Sequence, residues 1–199
     1  MLVAPGLVLA AGAWWWNTQE PDRFGTQAGS STDATAEVVP QSRFPEAAPA
    51  PRTPGAPVRL SIPALDVDVP VDSILAPGGV LTPPSDPQTL GWWADGARPG
   101  NPRGSALVTG HTVSTGGGAL DDLETLDPGH RIRVRSANTS TSYAVETVEI
   151  YAKGDLAERA EALFDQSVPG RLVVVTCEDW DGDEYLSNVV VTAAPTRPR

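Results

Sequence analysis

Short apolar runs separated by turn residues fill the chain from residue 56 onward. The runs are rich in Val, Ile, Thr and Tyr and are bounded by Gly, Pro, Asn and Asp, which is typical of β-strands joined by turns. Short strands at this spacing indicate an all-β barrel or sandwich. The pattern predicts seven strands: Val58–Ile62, Val67–Val71, Ser105–Gly110, Arg131–Arg135, Ser142–Tyr151, Arg171–Cys177 and Asn188–Ala193.

Two segments have helical rather than strand spacing. Ala119–Leu126 carries leucines three residues apart on one side. Asp155–Gln166 carries its apolar residues on one face, and Asp155 is the expected N-cap. We therefore predict one or two short helices that are accessory to the sheet.

The first 16 residues form an uncharged apolar segment that ends in three tryptophans. Tryptophans at the edge of such a segment are typical of a membrane interface. As a helix, Leu2 to Trp16 would be about 22 Å long, less than the roughly 30 Å hydrocarbon core, and no Lys or Arg precedes it. We expect residues 1–16 to be an atypical retained membrane anchor in preference to a cleaved signal peptide.

Residues 17–55 have the composition of a linker. Pro, Ala, Ser, Thr and Gly supply 23 of these 39 residues, and large apolar residues are few. Such a segment buries too little apolar surface to offset the entropy lost on ordering. We predict a disordered, semi-extended tether at 17–55 and a folded domain at 56–199.

Charge and cysteine content exclude several function classes. The chain has 14 Lys and Arg against 25 Asp and Glu, a net charge of −11, so we expect no nucleic-acid partner. A single cysteine forms no internal disulfide and no cysteine-based metal site. The thiol is therefore either a packing group or a chemical one.

Two predicted strands end in groups that suit nucleophilic chemistry. The apolar run at 172–175 leads to Cys177, and the run at 106–108 leads to His111. An imidazole can accept the proton of an attacking thiol and return it to a leaving amine. Free cysteines are also common as small core residues, so that alternative stays open here. The other histidine, His130, follows a turn and is expected to be solvated.

Five motifs follow one another along residues 56–199: Ile62–Val67, Gly91–Trp93 followed by Pro99-Gly100, Thr109–His111, Val175–Cys177 and Tyr185–Val191. Their order and spacing resemble the sortase family, closest to class F of high-GC Gram-positive bacteria. The resemblance covers nearly all of residues 56–199, and the expected anchor and tether support it independently.

The resemblance implies an eight-stranded barrel and cysteine transpeptidase or hydrolase activity. In such enzymes a cysteine, here Cys177, attacks the Thr–Gly bond of an LPXTG-type sorting signal on a secreted protein and forms a thioacyl-enzyme. A peptidoglycan precursor or another cell-wall amine then resolves the thioester. His111 would be the general acid/base, and the backbone N–H of Glu178 would face the oxyanion. The resemblance also implies an extracellular domain on the cell membrane. We expect no cofactor, and the alternative left open is calcium, which stimulates some sortases through other loops.

The chain departs from the family pattern at one catalytic position. Sortases place an arginine after the cysteine, and Leu186 stands at about the position where class F has it. No Arg or Lys lies between Cys177 and Ala193, and Arg171 begins the cysteine strand about 20 Å away. We predict that the Asn188 side-chain amide donates a hydrogen bond in place of the arginine.

Residues 178–184 carry five carboxylates. Carboxylates next to Cys177 raise the pKa of its thiol, which favours a neutral thiol and imidazole pair at rest. Asp179, Asp181 and Asp183 alternate as in a calcium loop, but Glu184 stands where that motif requires Gly. We therefore expect no metal site and interpret the segment as a solvated acidic loop.

Three tryptophans are candidates for contact with substrate. Trp180 lies in the predicted loop directly after Cys177 and is predicted to touch an apolar residue of the sorting signal. Trp92 and Trp93 are neighbours in the sequence, so at most one of them can face a groove if that segment is extended.

Two other functions compete with a sortase. An L,D-transpeptidase also pairs Cys with His, but the Ser-x-Gly-Cys motif of that family is absent before Cys177. The second alternative is a sortase-like module that binds peptides without catalysis, having lost its arginine.

Overall fold

A computed structural model describes residues 44–53 and 55–196. These residues form a closed barrel of eight strands with one α-helix. The strands are β1 Pro57–Ile62, β2 Val67–Ile74, β3 Leu90–Trp93, β4 Ser105–Thr109, β5 Arg131–Ser136, β6 Ser140–Ala152, β7 Arg171–Trp180 and β8 Tyr185–Pro195, and the helix is α1 Asp155–Leu163. The predicted all-β barrel is therefore confirmed.

The order of strands around the barrel is β1-β2-β3-β4-β7-β8-β6-β5. Neighbours pair antiparallel except for β2 with β3 and β4 with β7, which pair parallel. The β4–β7 pairing joins strands that are distant in sequence and runs from Ser105 opposite Arg171 to Thr109 opposite Val175. This pairing carries the two candidate catalytic segments to the same end of the barrel.

Two apolar clusters lie on opposite faces of the central strands. Leu172 and Val174 face the barrel interior, whereas Val173 and Val175 face a second cluster on the outside. Helix α1 covers the outer cluster with Ala160, Leu156 and Leu163. Because β7 is covered on both faces, its sequence is continuously apolar and does not alternate.

Strand β3 was not among the strands predicted from the sequence. It is only four residues long and all four are buried, so it shows no alternation of apolar and polar positions. Trp92 belongs to the interior cluster and Trp93 to the outer cluster. Both tryptophans are therefore core residues, and neither lines a groove.

The helix predicted at Ala119–Leu126 is wrong. Only a 3₁₀ turn at Leu123–Thr125 forms there, although the leucines are buried as expected. The Asp121 carboxylate accepts hydrogen bonds from the N–H groups of Val113 and Gly118, at 2.7 and 2.9 Å. Side-chain bonds of this kind compete with helical ones.

Helix α1 differs from its prediction at both ends. Gly154, not Asp155, is its N-cap, and the helix ends at Leu163 rather than Gln166. The Gln166 amide bonds Ala97 N–H and Ser105 C=O at 2.8 and 3.1 Å, which draws the residue into contacts with the loop before β4. Asp155 lies in the first helical turn, where a carboxylate is favourable for the helix dipole.

Part of the predicted tether pairs with strand β2 of the barrel. Pro49 forms a bridge with Ile74, and Ala50 N–H donates to Ser73 C=O at 2.8 Å. Backbone pairing with an existing strand orders this segment despite its poor apolar content. The predicted anchor at 1–16 and most of the tether lie outside the described residues. No helix within residues 44–53 and 55–196 has the length and apolarity to cross a membrane.

Gly110 is required by close packing where β4 ends. A Cβ at this position would overlap Leu90 Cδ2 and lie 2.8 Å from Leu120 Cδ1. We expect Gly110→Ala to lower the free energy of unfolding by about 1–3 kcal/mol in urea denaturation, as overpacked cores do. Leu90→Val removes the overlapping atom, so the penalty should be smaller in that background. Strictly additive effects of the two substitutions would contradict this packing argument.

Candidate active site

The register of β4 and β7, continued past the end of β4, aligns the backbone at His111 with the backbone at Cys177. Ser105 lies opposite Arg171 and Thr109 opposite Val175, so paired residues differ by 66 in number throughout. The same difference separates His111 from Cys177, two positions beyond the last pair. The N–H of Gly110 still donates to Val175 C=O at 3.2 Å, which continues the alignment past the end of β4.

Buried hydroxyls hold the residues around His111 to the cysteine strand. Thr176 Oγ1 donates to Gly110 C=O at 3.1 Å and lies 2.8 Å from Thr112 Oγ1. Tyr185 Oη on β8 donates to the carbonyl oxygen of Thr112 at 2.7 Å. The residues on both sides of the imidazole are therefore bonded to β7 or β8, and this limits its movement relative to the thiol.

Cys177 and Asn188 lie opposite each other on β7 and β8. Residues of a strand alternate between faces, so Cys177 shares the outer face with Val173 and Val175. Asn188 Nδ2 lies 3.8 Å from Cys177 Sγ and 3.2 Å from the carbonyl oxygen of Thr176. The structure thus brings the amide predicted from the sequence next to the sulfur.

The acidic segment after Cys177 begins as strand, so only its second part is the loop that the sequence predicted. Strand β7 continues to Trp180, which pairs with Tyr185, and only 181–184 form the turn. Asp181 Oδ1 accepts hydrogen bonds from the N–H groups of Asp183 and Glu184, each at 2.9 Å. Asp181 therefore stabilises the turn. Among the described residues no group of three or more His, Cys, Asp or Glu is arranged to hold a metal ion.

Glu178 projects toward the opposite face from Cys177. Backbone groups alternate between neighbouring strands, and Val175 C=O faces β4, so the Glu178 N–H is directed toward its β8 partner Ser187. The predicted role of that N–H as an oxyanion donor therefore competes with strand pairing.

The Glu178 side chain lies against Glu124 of the 3₁₀ turn. The Oε2 atoms of both carboxyls are buried, and neither has a hydrogen-bond partner among the described residues. Burial raises the pKa of Glu178, and the Glu124 carboxyl raises it further. A proton held between the two carboxyls would satisfy both oxygens.

His111 is only 7% exposed. Its Nε2 lies 2.9 Å from the carbonyl oxygen of Pro84, and its ring stacks on Phe44 with the ring centres 4.0 Å apart. Burial lowers the pKa of His111, and the hydrogen bond with Pro84 opposes that shift. The imidazole is thus held in its neutral form beneath the N-terminal segment.

Burial raises the pKa of the Cys177 thiol, and Glu178 adds to this shift while Lys153 opposes it. The sequence predicted the direction of the shift, but burial rather than the acidic segment is its main cause. With the pKa of His111 lowered as well, the resting pair is a neutral thiol and a neutral imidazole. Attack requires transfer of the thiol proton within this pair.

Three residues of the site were missed by sequence reasoning. Phe44 lies in the predicted tether, Glu124 in the predicted helix, and Lys153 after β6, and no spacing relates any of them to Cys177. Trp180 was predicted as a substrate contact. It is 45% exposed, and its ring centre lies 4.9 Å from that of Tyr185. Its contact with substrate remains a prediction.

Comparison with known proteins identifies the family. The profile described as "Sortase domain" matches residues 60–196. The chain belongs to the sortase family. Sortases are cysteine transpeptidases, which accords with the placement of Cys177 and His111 in this sortase. No curated protein matches its sequence.

Solved sortase structures share the fold of this sortase at low sequence identity. Sortase C-1 from Actinomyces oris is 20% identical with a TM-score of 0.55, over 70% of this chain and 73% of that one. The lid mutant of sortase A from Corynebacterium diphtheriae is 18% identical with a TM-score of 0.58, over 75% and 74%. Sortase E1 from Streptomyces coelicolor, solved with a tripeptide in its active site, is 20% identical with a TM-score of 0.56, over 74% and 92%.

The cover that Phe44 provides over His111 can be tested by substitution. Phe44→Ala removes an apolar ring from the imidazole, so the pKa of His111 should rise toward its ordinary value. NMR titration of the His111 ring protons measures this change. Phe44→Leu keeps an apolar cover and is the matched control, with a smaller rise expected. An unchanged His111 titration in Phe44→Ala would show that other contacts bury the ring.

The Glu178 and Glu124 pair predicts a pH-dependent stability. A carboxyl whose pKa is raised by folding stabilises the protein below the unfolded pKa and loses that contribution as pH rises through the folded pKa. Glu178→Gln removes the loss, so its melting temperature should exceed that of the wild type by a few degrees at pH 7 and converge with it near pH 4. Exposed Glu161→Gln is the control. A pH-independent difference for Glu178→Gln would contradict the shared-proton interpretation.

Proposed function

We propose that this sortase is a class F-like transpeptidase that cleaves an LPXTG-type sorting signal between Thr and Gly. The main support for this proposal is the alignment of His111 with Cys177. The β4–β7 register and the hydrogen bonds of the Thr112 and Thr176 hydroxyls maintain this alignment. Cys177 lies on β7, and His111 follows the end of the adjacent strand β4, at the same end of the barrel. The order of motifs in the sequence supports the class and the substrate.

Acylation begins with proton transfer from Cys177 to His111. The sulfur forms a bond to the scissile carbonyl carbon, and the π electrons of the carbonyl move to its oxygen. Collapse of this intermediate breaks the C–N bond, and His111 gives its proton to the departing amine. A second amine, from a peptidoglycan precursor or another cell-wall acceptor, attacks the thioester by the same steps in reverse and releases the thiol.

Asn188 is the proposed donor to the oxyanion. Its Nδ2 lies 3.8 Å from Sγ, so the oxygen of an acyl group on the sulfur would form within reach of the amide. Its bond to Thr176 C=O fixes the direction of that amide. A neutral donor provides less electrostatic stabilisation than an arginine, which agrees with a site that buries its thiol and imidazole in neutral forms.

The proposed setting is the outer surface of the cell membrane. Residues 1–16 would anchor the chain, and part of the segment 17–43 would separate the anchor from the barrel. The sorting-signal peptide is the proposed substrate, and the reaction uses only a nucleophile, a base and hydrogen-bond donors, so no cofactor is proposed. The exposed Trp180 is the proposed contact for an apolar residue of the signal.

Intact-mass analysis of the purified full-length protein tests this function. After incubation with an LPXTG-type peptide library, we expect a thioacyl adduct on Cys177 that a small amine resolves into a ligated peptide. Cys177→Ala and His111→Ala should form no adduct. Asn188→Ala should form it about 10²-fold more slowly, the range observed when an oxyanion donor is removed.

The library also distinguishes the alternative of a non-catalytic module. If fluorescence anisotropy shows that the wild type binds the peptide but no adduct forms, the protein is a binding module and the transpeptidase assignment is wrong. Adduct formation that survives in His111→Ala would instead reject His111 as the acid/base.

A further inference from the structure

Lys153 is the single lysine of the chain and lies directly after strand β6. Strands β6 and β8 pair Tyr151 with Asn188 and Ala152 with Ser187. Continuing this register sets Lys153 opposite Leu186, and the Lys153 N–H donates to Leu186 C=O at 2.9 Å. The lysine is therefore fixed to β8 two residues from Asn188.

Lys153 lies on the same face of the sheet as the thiol. Cys177, Asn188 and Tyr151 form one row across β7, β8 and β6, because each lies opposite the next. Two residues along a strand return to the same face, so Lys153 follows Tyr151 on the face of Cys177. Leu186, its neighbour on β8, is apolar yet 46% exposed and provides no charge.

An ion pair holds the ammonium group at this edge of the site. Lys153 Nζ lies 3.0 Å from Glu184 Oε2, and the Lys153 side chain is 31% exposed. The interaction of a partly buried charge is screened less than that of a fully exposed one. The same charge lowers the pKa of the Cys177 thiol against the effect of burial. The lysine therefore acts electrostatically on the reacting sulfur.

We propose that Lys153 supplies the positive charge of the acyl-transfer site, stabilising the thiolate and the oxyanion from strand β6. This inference deepens the proposed function and rests on it. As the C–S bond forms, negative charge moves from sulfur to the carbonyl oxygen. When the C–N bond breaks, the oxyanion electron pair re-forms the C=O bond, and the C–N electron pair leaves with the nitrogen, which takes the proton from His111. Lys153 gives and takes no proton in these steps, since His111 carries the proton to the leaving amine.

Arg159 offers a matched control for this role. It lies on α1 above the ring of Tyr151, with its guanidinium carbon 5.3 Å from the ring centre. Like Lys153, Arg159 is a cation next to this face of the sheet. It contacts the ring of Tyr151, however, whereas Lys153 contacts Glu184 in the turn between β7 and β8. Loss of Arg159 should leave the reaction close to wild type.

A first experiment needs no substrate. The rate at which iodoacetamide alkylates Cys177 is measured against pH in the full-length wild type, K153M, K153R and R159M. K153M should shift the profile to higher pH and slow alkylation about three- to tenfold at pH 8, because fewer thiols ionise without the lysine. K153R and R159M should follow the wild type.

A second experiment measures acylation by the sorting peptide in single turnovers. K153M should lose about tenfold in the maximal rate with little change in the peptide concentration needed for half that rate. The double variant K153M/L186R returns a cation from the opposite strand and should regain most of the loss. Raising NaCl from about 0.05 to 0.5 M should slow the wild type and leave K153M nearly unchanged.

Wild-type alkylation and acylation rates in K153M would overturn the inference while leaving the proposed function intact. The inference would also be overturned if R159M were as defective as K153M. The same holds if neither K153R nor the L186R substitution restored the rate, because either result indicates a structural role. A wild type that forms no adduct defeats the proposed function itself, and the alkylation profiles still report whether Lys153 acts on the thiol.

Discussion

The parallel pairing of β4 with β7 is the constraint on which the site depends. These strands are separated by more than 60 residues, and nothing local to either of them holds the thiol near the imidazole. Their register is fixed by packing on both faces, since a shift of one residue would move each apolar side chain of β7 into the cluster on the other face and disrupt the packing of both clusters. The alignment of Cys177 with His111 is therefore set by the same packing that closes the barrel.

Desolvation is the main cause of the pKa shifts of Cys177 and His111. Burial raises the pKa of the thiol and lowers that of the imidazole, so both groups are held neutral. Phe44 contributes to this state from a segment outside the barrel, through its stacking on His111. Neutral groups also cost less free energy to bury than an ion pair, so the candidate active site can lie next to a closely packed core.

The polar support of the site lies mainly on the opposite face of the sheet. Cys177 and Asn188 are on the outer face, whereas Thr176 extends in the other direction toward Thr112 and Gly110. Because side chains alternate along a strand, Cys177 faces the candidate site while its neighbour Thr176 holds the residues on either side of His111. Leu186 provides no cation on β8 at the outer face, and Lys153, directly after β6, lies opposite Leu186.

Local residue patterns are enough to predict the all-β class, most strand positions and the candidate thiol and imidazole, because such patterns record burial and turn chemistry. The sequence also indicated Asn188, whose position in the strand after Cys177 follows from a single hairpin. Strand β3, Phe44, Glu124 and Lys153 required the tertiary structure. Their roles arise from pairings between distant segments, and a local pattern carries no information about which distant strand will lie beside it.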